Sequence, residues 1–268
     1  MMTTTVSFSR GTDRPSRGKW LALAVLAIAA AVISPTASAQ ESAAVFAPFG
    51  TLLASSVDRG HVDYAAFANE PAFAAVIEEL ATTSLASSAT QAERLAFYIN
   101  AYNAVSIQGI LDGYSPSSIW GRQRFFKRRK YDLFNTSMSL YTLEHKRIIN
   151  EGDPRIHFAI VCASQSCPPL QSWLYTAEDL DEQLKNVTAS FINNSASNQF
   201  DVEKRQAKVS RIFKWYADEF EAAGGGSLAG FLARYVADDT LKQSLQNDDW
   251  SFDYLSYDWN LNGTPVTQ

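Results

Sequence analysis

The chain has 268 residues and a formal net charge of −5, with 28 Asp and Glu against 23 Lys and Arg. An acidic balance of this kind argues against nucleic acid and anionic membrane surfaces as general partners. At this length a core can form without disulfide staples, so the two cysteines are free to serve other ends.

Residues 1–39 read as a secretory signal peptide. Arg10, Arg14, Arg17 and Lys19 form a basic segment, residues 20–33 are apolar, Pro35 breaks the run, and Ala37-Ser38-Ala39 is an A-x-A cleavage pattern ahead of Gln40. The apolar run is well short of the roughly 20 residues that span a bilayer, and no later stretch is longer. No integral membrane segment is therefore expected after cleavage, and the protein is expected to be exported, periplasmic or secreted. With Asp13 the leader carries a net +3, which leaves −8 on residues 40–268. Those residues are expected to form a single domain.

Residues 44–82 read as helices around a short loop, with helical period in 73–81. Gln91–Leu111 is a long helix, apolar nearly all round, which Gly113 ends; it is the expected central buried helix. The basic cluster GRQRFFKRRK, residues 121–130, reads as a solvated face or loop, with a local anion contact as the alternative. Residues 130–143 suggest two short strands around Asn135-Thr136-Ser137, and helix follows through His145 to Asn150. IHFAIVC, residues 156–162, has the continuous apolar character of a strand covered on both faces. Thr176 should cap a helix running to about Asn193, residues 198–210 a hairpin, and residues 210–220 and 227–237 helices on either side of Gly224-Gly225-Gly226. Residues 250–259 end the fold in an alternating strand. Helices and hairpins mix without a βαβ rhythm, so the expected class is α+β, a central buried helix packed on a small mixed or antiparallel sheet with surrounding helices.

The chemistry concentrates in residues 144–169. Two of the three histidines and both cysteines fall within 23 positions, 145 to 167. Cys167 sits in Ser166-Cys167-Pro168-Pro169, a loop that two prolines stiffen, and a thiol there with a nearby histidine suits nucleophilic catalysis. Strand alternation would put His157 on one face and Cys162 on the other, which makes Cys162 a core or disulfide residue. His157 is the better base candidate. Glu144 and His145 diverge by about 100° on a helix, so either Glu144 orients His157, or His145 is the base. Asn100 and Asn103 share one helix face and need partners. They either bond a neighbouring loop or orient a catalytic group.

A zinc site on His145, His157, Cys162 and Cys167 has poor spacing, and a serine hydrolase lacks its G-x-S-x-G. No metal and no cofactor is called for. A catalytically silent binding module, with a Cys162–Cys167 disulfide and a groove using Trp120, Trp173, Trp215 or Trp259, is the competing reading.

Five ordered blocks carry a resemblance: FYINAYNAVSIQGIL, YTLEHKRII, DPRIHFAIVCASQSCPPL, VSRIFKWYADEF and YLSYDWNLN. Over residues 95–262 they resemble the family catalogued as domain of unknown function 547, which looks related in architecture to papain-like and transglutaminase-like cysteine enzymes. The resemblance implies a Glu144, His157 and Cys167 site, with Asn100, Asn103 and His145 in support. It departs from papain order, because Cys167 follows both histidines. The expectation is a cysteine hydrolase or acyltransferase acting on an amide, thioester or isopeptide bond of an unknown small-molecule or peptide substrate. Backbone N–H groups at Ser166-Cys167 would receive the oxyanion.

Overall fold

The helix Gln91–Leu111 is the axis of the fold, and both of its ends are specified locally. Thr90 and Glu93 form a reciprocal capping box: the Glu93 amide donates to Thr90 Oγ1 at 3.2 Å, and the Thr90 amide to Glu93 Oε2 at 2.6 Å. At the other end Gly113, with φ 81°, turns the chain left-handed, and the amides of Gly113 and Tyr114 return to Ile110 O and Gly109 O. Between these ends Ile99, Ala101, Ala104 and Val105 are fully buried. Side chains of the size of Ile99 or Phe49 contribute roughly 1.5–3 kcal/mol each on burial.

The structure is a computed structural model that describes residues 1–7, 44–247 and 249–266. The chain divides into residues 1–34 and 35–268. In the first unit, residues 1–7 are exposed and carry no helix or strand, and the expected leader otherwise lies outside the described residues. All that follows concerns the second unit.

Helices Tyr64–Ala68 and Pro71–Leu80 cover one part of the central helix, with Ala47–Ser56 packed on those two, and Leu140–Leu143 with the π-helical turn Glu144–Ile148 covers another. The strands are short and form three small sheets. Strands β1 (Val57–Asp58) and β2 (His61–Asp63) are antiparallel, and β8 (Gly263–Thr264) joins β2 in parallel. The hairpin β3 (Tyr131–Leu133) and β4 (Thr136–Met138) turns at Phe134 and Asn135, whose φ angles are 55° and 59°. The turn thus falls one residue earlier than the sequence suggested. The hairpin β5 (Gln199–Asp201) and β6 (Gln206–Val209) gains β7 (Ser251–Tyr254) in parallel. The class is α+β, as expected.

Several expectations need correction. The helix expected from a Thr176 cap begins at Leu180 behind Asp179, the helix expected over 227–237 is Leu228–Leu232, and the strand expected over 250–259 is confined to Ser251–Tyr254. Residues 210–220 are not one helix: the segment breaks at Tyr216 into Ile212–Trp215 and Ala217–Ala223. More consequentially, residues 156–162 are not a strand. Pro154–Phe158 is a 3-10 turn, and residues 159–163 run on without regular structure. Their apolar character reflects burial by helices instead. Phe158 is fully buried against Phe191, Phe213 and Phe220, at ring-centroid distances of 5.1, 5.7 and 5.6 Å.

A buried irregular backbone must still satisfy its polar groups, and side chains do that here. Asn103 Nδ2 donates to Ala159 O at 3.0 Å while its Oδ1 accepts from the Val161 amide at 2.9 Å. Ser106 Oγ donates to Val161 O at 2.7 Å. The central helix thus takes the place of a neighbouring strand.

Candidate functional site

Residues 162–167 are held from two sides. The central helix grips residues 159–161, and the C-terminal segment runs alongside residues 163–166. Asn262 N donates to Ala163 O, Gln165 N to Asn260 O and Ser166 N to Asp258 O, at 3.2, 2.8 and 3.1 Å. Ala163 takes φ 59°, a conformation that strains a residue with a Cβ. The chain turns there, and Cys162 and Cys167 come to line the same cavity.

That cavity, of about 510 Å³, gathers Glu144, His145, His157, Cys162 and Cys167. The alternation that set Cys162 apart from His157 fails because there is no strand to alternate. Both cysteines are free and half-buried. Cys162 Sγ lies 3.1 Å from Ser164 Oγ and 3.2 Å from the Tyr257 hydroxyl, and the Cys162 amide donates to Cys167 Sγ at 2.8 Å. Burial alone would raise the Cys162 pKa. The hydrogen bonds from Cys167, Ser164 and Tyr257 outweigh it and bring Cys162 below the ordinary thiol value. Cys167 goes the other way: burial, and then Cys162 beside it, hold it well above that value. One thiolate is favoured in this pair, and it belongs on Cys162.

His157 is buried and stacked on Tyr216, with ring centroids 3.6 Å apart and planes at 21°. Its Nε2 is 3.0 Å from Glu219 Oε2. Since a carboxylate accepts, Nε2 carries a proton, and in the neutral ring Nδ1 is the acceptor. Nδ1 is buried and has no partner among the described residues. The orienting acid is therefore Glu219, which the sequence reading missed. Glu144 sits one residue further out, across Tyr216: its Oε1 accepts from the Tyr216 hydroxyl at 2.5 Å and its Oε2 from Tyr102 at 3.4 Å.

Burial raises the Glu144 pKa, and the bond from Tyr216 and the charge of His157 offset that only in part. A carboxyl raised in the fold stabilises the fold below its unfolded value, and that stability is lost as pH rises through the folded value. Glu144→Gln removes the loss. The melting temperature of the variant minus that of the wild type should therefore climb between pH 4 and pH 8. A difference that stays flat across this range would mean that Glu144 ionises in the fold as freely as in water.

His145 bonds Tyr141 O through Nδ1 at 3.1 Å and stacks on the Tyr141 ring at 3.8 Å; burial lowers its pKa. Asn100 is placed away from the cavity, where it pairs with the amide and carbonyl of Tyr175 at 3.0 and 2.8 Å. With Asn103 on residues 159–161, both amides clamp backbone, which is the loop-bonding alternative. Ser166 also lies off the cavity lining, its Oγ accepting from Asp258 N at 2.8 Å. The Ser166 and Cys167 amides expected to receive an oxyanion are already engaged, to Asp258 O and Ser164 O. Tyr257, at 3.2 Å from Cys162 Sγ, is the donor beside the sulfur.

Trp215, Tyr257 and Trp259 form the aromatic wall, whereas Trp120 is 74 % exposed and not part of it. Among the described residues no group of three or more His, Cys, Asp or Glu is placed to hold a metal ion. No helix among them is long and apolar enough to cross a membrane.

No curated protein and no solved structure matches the chain. Residues 86–192 match the family described as "Protein of unknown function, DUF547". That match takes in the central helix, Glu144, both site histidines and both cysteines, while Tyr216, Glu219, Tyr257 and the tryptophan wall lie beyond it. Over residues 86–192 the chain is therefore similar to the DUF547 family.

Proposed function

We propose that this chain is an exported cysteine hydrolase or acyltransferase acting on an amide, thioester or isopeptide bond, built on a distantly papain-like plan. One observation carries the reading: two free thiols, one of them beside the hydroxyls of Ser164 and Tyr257, share a cavity with a histidine whose Nδ1 has no partner among the described residues. The donors around Cys162 support it, rather than Cys167, as the attacking sulfur. Export rests on the leader pattern of residues 1–39.

In the proposed reaction Cys162 Sγ adds to the substrate carbonyl. The carbonyl π pair moves to oxygen, and the Tyr257 hydroxyl donates to the developing oxyanion. The thiol proton resides on His157 Nδ1, with Glu219 holding the imidazole in the tautomer that leaves this nitrogen basic. Collapse of the adduct breaks the bond to the leaving group, which takes the proton from His157. The acyl group on Cys162 is then transferred to water or to an amine, which His157 deprotonates in turn. Glu144 acts through Tyr216, fixing the ring that stacks on His157. Two free thiols count against the silent module with a structural disulfide.

The rate of iodoacetamide labelling against pH, mapped by peptide mass, tests the reading. Labelling should reach half its maximum below the free-thiol value of about 8.5, and His157→Ala should move that midpoint upward. An alkaline midpoint unchanged by His157→Ala would sink the proposal.

A further inference from the structure

Two cations line the cavity, Arg122 and Lys127. They come from the helical turn Ile119–Arg122 and the π-helical turn Gln123–Arg128 that continues it. Each lies over an aromatic ring. Arg122 Cζ is 4.5 Å from the centre of the Trp259 ring, and Lys127 Nζ is 4.6 Å from that of Tyr141. Among the described residues neither has an ion-pair partner, although Arg94, Arg129 and Arg155 each hold a carboxylate at 2.8, 2.8 and 2.7 Å. Among the described residues Arg122 makes one hydrogen bond, to Pro116 O at 3.3 Å. The carboxyl group in the same lining, Glu144, is occupied by two tyrosine hydroxyls.

A positive cavity in a chain of net charge −5 runs against the molecule's overall field, and a cleft concentrates the potential of the charges that line it. The sulfur and the guanidinium are also connected by rings. Cys162 Sγ meets the Tyr257 hydroxyl at 3.2 Å, Tyr257 meets Trp259 at 4.5 Å, and Arg122 caps Trp259. A bound molecule reaching from one to the other would lie along aromatic surface.

We propose that the cavity selects an acyl substrate bearing an anionic group, carboxylate or phosphate, seated against Arg122 and Lys127 with its spacer along Tyr257 and Trp259. The acyl part of this proposal rests on the cysteine-enzyme reading above; the anion site does not. The basic cluster of residues 121–130 thereby divides by role. Arg122, Gln123 and Lys127 line the cavity, while Arg124, Arg128 and Lys130 are exposed outside its lining.

Trp259 beneath Arg122 supplies the readout. Tryptophan fluorescence of the purified chain is titrated at low salt with glutarate and, separately, with inorganic phosphate. A saturable change with glutarate identifies a carboxylate site, and one with phosphate alone a phosphate site. Arg122→Gln and Lys127→Gln should each weaken the effective anion by roughly tenfold or more, the scale of a charge-assisted contact. Arg128→Gln, the same charge change outside the lining, should stay within about twofold. Lys127 is exposed, so its variant should fold even if Arg122→Gln does not. No saturation with either anion, or equal weakening by all three substitutions, overturns the proposal.

Iodoacetate against iodoacetamide then separates the two readings. The ratio of their labelling rates should fall roughly tenfold in Lys127→Gln, because only the anionic reagent uses the site. Saturable anion binding with neither reagent labelling would sink the cysteine chemistry and uphold the anion site.

Discussion

Cys162→Ala should abolish the acetyl adduct that the wild-type chain forms with p-nitrophenyl acetate, read by intact mass and by the burst of p-nitrophenolate. The expected loss is roughly 10⁴-fold or more, as when a nucleophile is removed from a unit whose members act together. The melting temperature should change little, because the side chain borders a cavity and its removal opens no enclosed void. Cys167→Ala should be milder, slowing acylation roughly 10- to 100-fold by withdrawing a donor that favours the Cys162 thiolate. Its pH profile should move upward by the same cause. The reverse pattern, acylation lost in Cys167→Ala and kept in Cys162→Ala, would make Cys167 the nucleophile. Acylation unchanged in both variants would remove the thiols from the chemistry.

The second large effect concerns the frame rather than the sulfur. Asn103→Ala strips partners from Ala159 O and Val161 N–H, both on residues at most 4 % exposed. Each unsatisfied backbone group costs about 1–3 kcal/mol, and the lost amide leaves a small void besides, so about 3–5 kcal/mol in all is expected. For a domain of this size the melting temperature should fall by roughly 10 °C. Labelling of Cys162 should also lose its depressed midpoint, since the residues just before it would no longer be pinned. Gln108→Ala on the same helix, where the side chain bonds the exposed Asp112, should cost less than about 0.5 kcal/mol. A melting temperature for Asn103→Ala within 2 °C of wild type would mean that residues 159–161 find other partners, and the clamp would not be what holds the loop.

These two variants mark the boundary between what could be read linearly and what could not. The central helix was legible because its signals are local: apolar residues without a polar face, and a glycine past Leu111. The same holds for the hairpins, where turn residues and strand propensity act over a few positions. The clustering of Glu144, the histidines and the cysteines was legible as composition, and the cavity does gather Glu144, His145, His157 and both cysteines. Asn100 and Asn103 were legible as buried amides that needed partners, though not which partners.

Residues 156–162 defeated the linear reading for a physical reason. A run buried on every side has the same composition whether sheet or helices cover it, and periodicity cannot separate the two. The deciding partners are Asn103 and Ser106, more than 50 positions away, and with them went the inferred direction of Cys162. The order of the acids was hidden for the same reason. Glu219 reaches His157 across 62 positions, because the break at Tyr216 turns the following helix toward it. By itself the sequence determined the class, the central helix and the inventory of reactive groups, all set by short-range preferences. Tertiary structure alone decided which sulfur gathers donors, which acid holds the histidine and which two cations of a basic run enter the cavity, because each depends on contacts between segments whose spacing in the chain carries no signal.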